Sequence, residues 1–139
     1  MGKSYNRKVI SIYTEFTAFM RRIKIFISSV QSEFSKERAM LCHYIRTDVL
    51  LGKFFEPFIF EEVPANEHPI SHVYLNEVKL CDIYLGLCGN LYGHEDAEGV
   101  SPTEREYDLA AELHKSRLIY IKSINEDDRH RFSDIVARF

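Results

Sequence analysis

The feature that most constrains this chain is an alternation. Short apolar runs rich in β-branched residues give way repeatedly to longer segments with helical periodicity. Residues 23–29 read Ile-Lys-Ile-Phe-Ile-Ser-Ser, a run that ends in two small hydroxyl residues, as a buried strand feeding a turn does. Over 32–51, Phe34, Leu41, Ile45 and Val49 keep a helical period, and Gly52 follows as a natural terminator. A second apolar run over 55–60 is interrupted by Pro57, which predicts an edge strand or one that begins at the proline. A loop over 61–69, a helix over 70–79 and a strand over 81–87 come next, the strand running into a loop punctuated by Gly89, Gly93 and Gly99. A helix over 102–114, a strand over 117–121 and a helix over 127–139, with Phe132, Ile135, Val136 and Phe139 on one face, complete the series.

Strands alternating with helices predict a parallel sheet with right-handed crossovers and helices on both faces. The expected fold is α/β: three layers, α/β/α, around a four- to five-stranded parallel sheet. In such sheets ligands bind beyond the carboxyl ends of the strands. That rule makes candidates of Ser28 and Ser29, of Glu61 and Glu62, of the stretch 86–93 and of residues 123–126.

Composition narrows the classes. At 139 residues the chain is long enough for one domain with its own core. No apolar run approaches the ~18 residues that span a bilayer, which argues against a membrane protein. A net charge of −3 with scattered Lys and Arg argues against nucleic acid as a partner. Cys42, Cys81 and Cys88 fit neither a zinc knuckle nor a redox pair, which predicts reduced, buried thiols and a cytoplasmic location. Residues 1–22 have no uninterrupted apolar stretch and no small-residue cleavage site, so a secretory signal is not expected there. Val9, Ile12, Tyr13, Phe16, Phe19 and Met20 instead predict a helix over 8–22, an extension before a domain spanning 23–139. Of the six histidines only His68 and His72 are suggestively spaced, and they lack a third ligand nearby, so no metal site is expected.

One helix start is unusually clear. Ser101 is an N-cap, Pro102 takes the first helical position, and Glu104 completes a capping box. On the wheel, Tyr107, Leu109, Ala110 and Leu113 form an apolar arc, while Glu104, Arg105, Asp108 and Glu112 lie opposite. Glu106 falls inside the apolar arc. A carboxylate there is either desolvated and paired or poised for chemistry. Arg38 shares a helix face with Phe34, Leu41 and Ile45, so an ion pair between Arg38 and that carboxylate is the structural alternative.

Taken in order, the run 23–29, then Phe34, Glu37 and Arg38, then Glu61, Pro64 and Ala65, then Asp82-Ile-Tyr-Leu-Gly-Leu, Gly89, Tyr92 and Gly93, and finally Ser101, Thr103, Glu104, Glu106, Tyr107 and Ala110, resemble a known family. It is the uncharacterised TIR-like domain at the amino terminus of bacterial signal-transduction (STAND-type) ATPases and repeat proteins, distantly similar to TIR domains and nucleoside 2-deoxyribosyltransferases. The match covers about 22–139. The resemblance implies a flavodoxin/TIR-like fold in which Glu106, followed four residues on by Ala110, is the catalytic carboxylate acting at the anomeric carbon of a ribosyl ring. It implies a ligand-binding set of Ser28, Ser29, Arg38, Glu61, Asp82, Gly89, Tyr92, Gly93 and Ser101, with Tyr92 as an aromatic wall over a base. The partner implied is a nucleotide or nucleoside, with NAD as a substrate and no resident cofactor. The function implied is that of a nucleotide-recognising sensor or effector in bacterial signalling or defence, hydrolysing an N-glycosidic bond. A non-catalytic self-association module and a deoxyribosyltransferase-like enzyme are the alternatives.

Overall fold

The computed structural model describes residues 21–62 and 70–122. β1 (Ile23–Ser29) lies where the β-branched run predicts it. Strand alternation sorts its side chains: Ile25 and Ile27 enter one core cluster, Phe26 the other. α1 (Gln31–Thr47) follows, burying Phe34, Arg38, Cys42 and Ile45 along one stripe. Phe34, at φ −120° and ψ 21°, kinks the helix after its first turn.

α1 ends earlier than the periodicity predicts, and not at glycine. Its C-cap is Asp48, whose carboxylate accepts from the backbone N–H groups of Leu50 at 2.9 Å and Leu51 at 2.8 Å. This local turn outcompetes continuation of the helix, so Val49 is exposed rather than part of the buried stripe. Gly52 sits in the next short helix, α2 (Leu51–Phe54), where a Cβ would come within 2.7 Å of the Arg46 carbonyl oxygen. Close approach, not helix termination, is what needs a glycine there.

β2 (Phe55–Phe58) contains Pro57 and is an edge strand, where a missing N–H is tolerated. A 3-10 turn (Phe60–Glu62) comes next, within the stretch expected to be loop. Then come α3 (Ile70–Leu80), β3 (Ile83–Cys88), α4 (Pro102–Glu112) and β4 (Ser116–Ile121). β3 starts later than predicted because Cys81 still donates to Glu77 O in the last turn of α3. The sheet has the order β2-β1-β3-β4 and is parallel throughout.

Ile25, Ile27 and Leu85 pack with Cys42 and Ile45 of α1 on one face. Phe26 and Tyr84 pack with Val78 of α3 and with Tyr107 and Ala110 of α4 on the other. The architecture is therefore the expected three-layer α/β/α. Burying each of these large apolar side chains contributes about 1.5–3 kcal/mol. No described helix is long and apolar enough to cross a membrane. The helix expected over 8–22, apart from Arg21 and Arg22, lies outside the described residues, as do residues 123–126 and the helix expected over 127–139.

Candidate functional site

The site begins at the carboxyl end of β1, in the central pair of strands. Ser28 and Ser29 are both buried there, one on each face of the sheet. Ser28 turns toward α4 and donates to Glu106 Oε2 at 2.5 Å. Ser29 turns toward α1, where Arg38 Nη1 lies 3.3 Å from its carbonyl oxygen and 3.4 Å from its Oγ. Helical side chains lean toward their own N-terminus, which brings the Arg38 guanidinium back over the first turn of α1.

α4 starts as its sequence predicts. Ser101 Oγ accepts from Glu104 N at 3.3 Å, and Pro102 occupies the first turn. The capping box is bridged by a third residue: Ser101 N donates to Tyr92 Oη at 3.3 Å, and the same hydroxyl donates to Glu104. With the start of α4 fixed, Glu106, Tyr107 and Ala110 face inward. Glu106 is 8% exposed, and burial pushes its carboxyl up to about 7, against the opposing pull of the Ser28 hydrogen bond and the Arg38 charge. Such a carboxyl is close to half ionised at neutral pH. Tyr84 interacts with Ser28 beneath it, and burial followed by the nearby Glu106 charge holds the phenol protonated.

Glu106 and Arg38 form part of the wall of one cleft of about 570 Å³, which Ser29, Ser32, Gly93, His94, Phe60 and Tyr74 also line. The two rings meet edge to face with centroids 4.4 Å apart, a hydrophobic wall near the carboxyl. Gly93 lines the cleft at φ 95°, a conformation that favours glycine. Arg38 pairs with Glu61 rather than with Glu106, so the ion pair weighed from sequence exists with a different carboxylate.

Four residues expected at the ligand site are placed elsewhere. Tyr92 lines a separate small cavity of about 20 Å³ with Leu87, Tyr107 and Ile119, and its hydroxyl serves the cap of α4; the aromatic wall belongs to Phe60 and Tyr74. Asp82 lies at the opposite, amino edge of the sheet. Its carboxylate accepts from Lys24 N at 2.8 Å and Arg21 at 2.6 Å, and these bonds lower its pKa. Ser101 is an N-cap lining the Tyr92 cavity and not the cleft. Gly89 is a spacer, because a Cβ there would overlap the Glu33 carboxylate. That carboxylate accepts from Asn90 N at 2.8 Å and Leu91 N at 2.9 Å, tying the loop after β3 to the first turn of α1.

Sequence reasoning passed over Glu33, Phe60 and Tyr74. An acid in the first turn of a helix reads as a dipole partner, and only the loop's return shows its second role. Tyr74 sits one helical turn before the buried Val78, a spacing that marks it as inward-facing. Among the described residues no three His, Cys, Asp or Glu side chains gather as a metal site.

The profile of a domain of unknown function, DUF4062, matches residues 24–134. The chain belongs to the DUF4062 family. Ser28, Arg38, Glu61 and Glu106 all fall within the matched part of this DUF4062 domain. No curated protein sequence matches it. Among solved structures the DUF4062 domain is similar to the CMP N-glycosidase BcmB of Clostridium botulinum. Identity is 11% and the TM-score 0.43, with 84% of this chain and 99% of that chain covered.

Proposed function

We propose that this DUF4062 domain recognises a nucleotide and cleaves its N-glycosidic bond, with NAD or a nucleoside phosphate as substrate and Glu106 as the catalytic carboxylate. Its place would be the sensor or effector part of a bacterial signalling or defence protein, in the cytoplasm. One observation carries the reading: a nearly buried carboxyl with a pKa of about 7 stands in the wall of a cleft at the carboxyl edge of the sheet.

As a C–N glycosidic bond lengthens, positive charge develops at the anomeric carbon. An ionised Glu106 beside that carbon stabilises the charge, and low local polarity strengthens the interaction. The base departs with the bonding pair, from NAD as neutral nicotinamide or from a nucleoside phosphate as an anion that takes up a proton; water supplies the hydroxyl that replaces it and gives up its other proton. Ser28 fixes the orientation of Glu106 through Oε2, while Phe60 and Tyr74 offer a surface for the planar base.

The test is to incubate the domain with NAD, nucleoside monophosphates and free nucleosides and to measure released base by chromatography. Glu106→Gln is expected to lower release by about 10²-fold or more. A self-association module releases no base at any protein concentration; that outcome, or release undiminished in Glu106→Gln, would sink the hydrolase reading. A deoxyribosyltransferase-like enzyme yields product only when an acceptor base is added.

A further inference from the structure

Two buried side chains of opposite charge, Arg38 and Glu106, face the same cleft, yet they are not hydrogen-bonded to each other. Arg38 is drawn the other way. Its Nη2 meets Glu61, its Nη1 points at Ser29, and its Nε has no hydrogen-bond partner. Among the described residues, Glu106 is hydrogen-bonded by Ser28. A guanidinium presents five donors in a rigid fork suited to bidentate carboxylate pairing. With one donor unused beside a buried carboxyl, the arrangement needs a reason not to collapse into an Arg38–Glu106 pair.

Glu61 supplies that reason. We propose that Glu61 is a positioning residue: by holding the Arg38 guanidinium, it keeps Arg38 from pairing with Glu106 and leaves that carboxyl free to meet a substrate. This rests on the reading of Glu106 as the catalytic group.

The electrostatics agree with the geometry. For Glu106, burial outweighs the charge of Arg38, which ranks behind even the Ser28 hydrogen bond. Direct pairing with Arg38 would reverse that order and return the group toward ordinary carboxylates. The groups named around Glu106 come from several elements: Ser28 from β1, Tyr84 from β3, Arg38 from α1 and Tyr74 from α3, with His94 lining the same cleft; β4, which also packs on α4, brings Arg117 over the Tyr107 ring. Tyr74 senses Glu106, Arg38 and Glu61 together. The Glu61 side chain is 30% exposed, whereas that of Arg38 is 4% exposed, so replacing Glu61 disturbs the core less.

The measurement is the titration midpoint of Glu106, read by carbon-13 NMR on the whole domain without substrate, beside the pH profile of base release. In Glu61→Gln the freed Arg38 is expected to pair with Glu106 and lower its midpoint by about one to three pH units. Base release should fall, and its acid limb should move to lower pH. Glu61→Asp, which keeps the charge on a shorter arm, should fall between. Adding Arg38→Met to Glu61→Gln should restore a midpoint at or above the wild-type value. An unchanged midpoint in folded Glu61→Gln overturns the proposal; if that variant does not fold, an unchanged midpoint in Glu61→Asp does so instead. Because the midpoint is read without substrate, absence of turnover defeats the catalytic reading alone.

Discussion

Ser28 and Ser29 are consecutive residues that leave β1 on opposite faces, the first bonded to Glu106 and the second in contact with Arg38. Neighbouring Ser→Ala substitutions should therefore have separable effects. The Ser28 hydroxyl favours the ionised carboxyl, so Ser28→Ala should raise the Glu106 midpoint above about 7. Base release at pH 7 should drop and recover at higher pH. Ser29→Ala should leave the midpoint near the wild-type value. A carbon-13 titration of the two variants separates them, and equal midpoints would refute the division of roles.

Glu106 also makes a prediction about stability. Its folded pKa of about 7 lies above the ordinary 4.5, so the folded state holds the proton more tightly than the unfolded chain. The stability linked to that proton is fully present below 4.5 and is lost as pH rises through about 7. The loss is on the order of 2–3 kcal/mol. Glu106→Gln keeps the shape without the charge. In urea melts it should match the wild type near pH 5 and exceed it near pH 8.

Glu33 and Gly89 should behave as a unit. A methyl group at position 89 would displace the Glu33 carboxylate from the Asn90 and Leu91 amides. Gly89→Ala is expected to cost about 1–3 kcal/mol in denaturation experiments. Once that bridge is broken, adding Glu33→Ala should cost much less than it does alone. Strict additivity of the two substitutions would show that they do not share the bridge.

Tyr92 and Tyr74, one in the small cavity and the other in the cleft, should part company. Tyr92→Phe removes the hydroxyl between Ser101 N and Glu104, which should cost about 1 kcal/mol of stability and leave KM unchanged. Tyr74→Ala removes half of the aromatic wall and should raise KM for a base-bearing substrate. Melting curves and steady-state kinetics on both variants test the pair.

Much of the scaffold was legible because its signals are local. The β-branched run marked β1, Pro57 marked an edge, and Ser101-Pro102 with Glu104 marked the start of α4. That start set the phase of the helix and turned Glu106 inward. Where the reading failed, the deciding contact came from a competing turn or from distant chain. Asp48 stops α1 by binding its own following amides, a device that periodicity does not register. Asp82 looked like a site acid because of its place in a motif, but a parallel strand has two ends, and it sits at the wrong one. Tyr92 and Tyr74 are equally aromatic in sequence, and only the packing of the 3-10 turn against α3 chooses between them. The partner of Arg38 likewise depends on how the chain after β2 returns.

Ser28 precedes Glu106 by 78 residues, and the two meet only when α4 docks against a sheet that already contains β1 and β3. During synthesis, β1 leaves the ribosome long before the carboxyl that Ser28 meets exists. The ordering that fixes the carboxyl cannot be borrowed from any early fragment. A partly made chain therefore lacks this buried carboxyl, and the cleft is complete only after both helical layers have closed over the sheet.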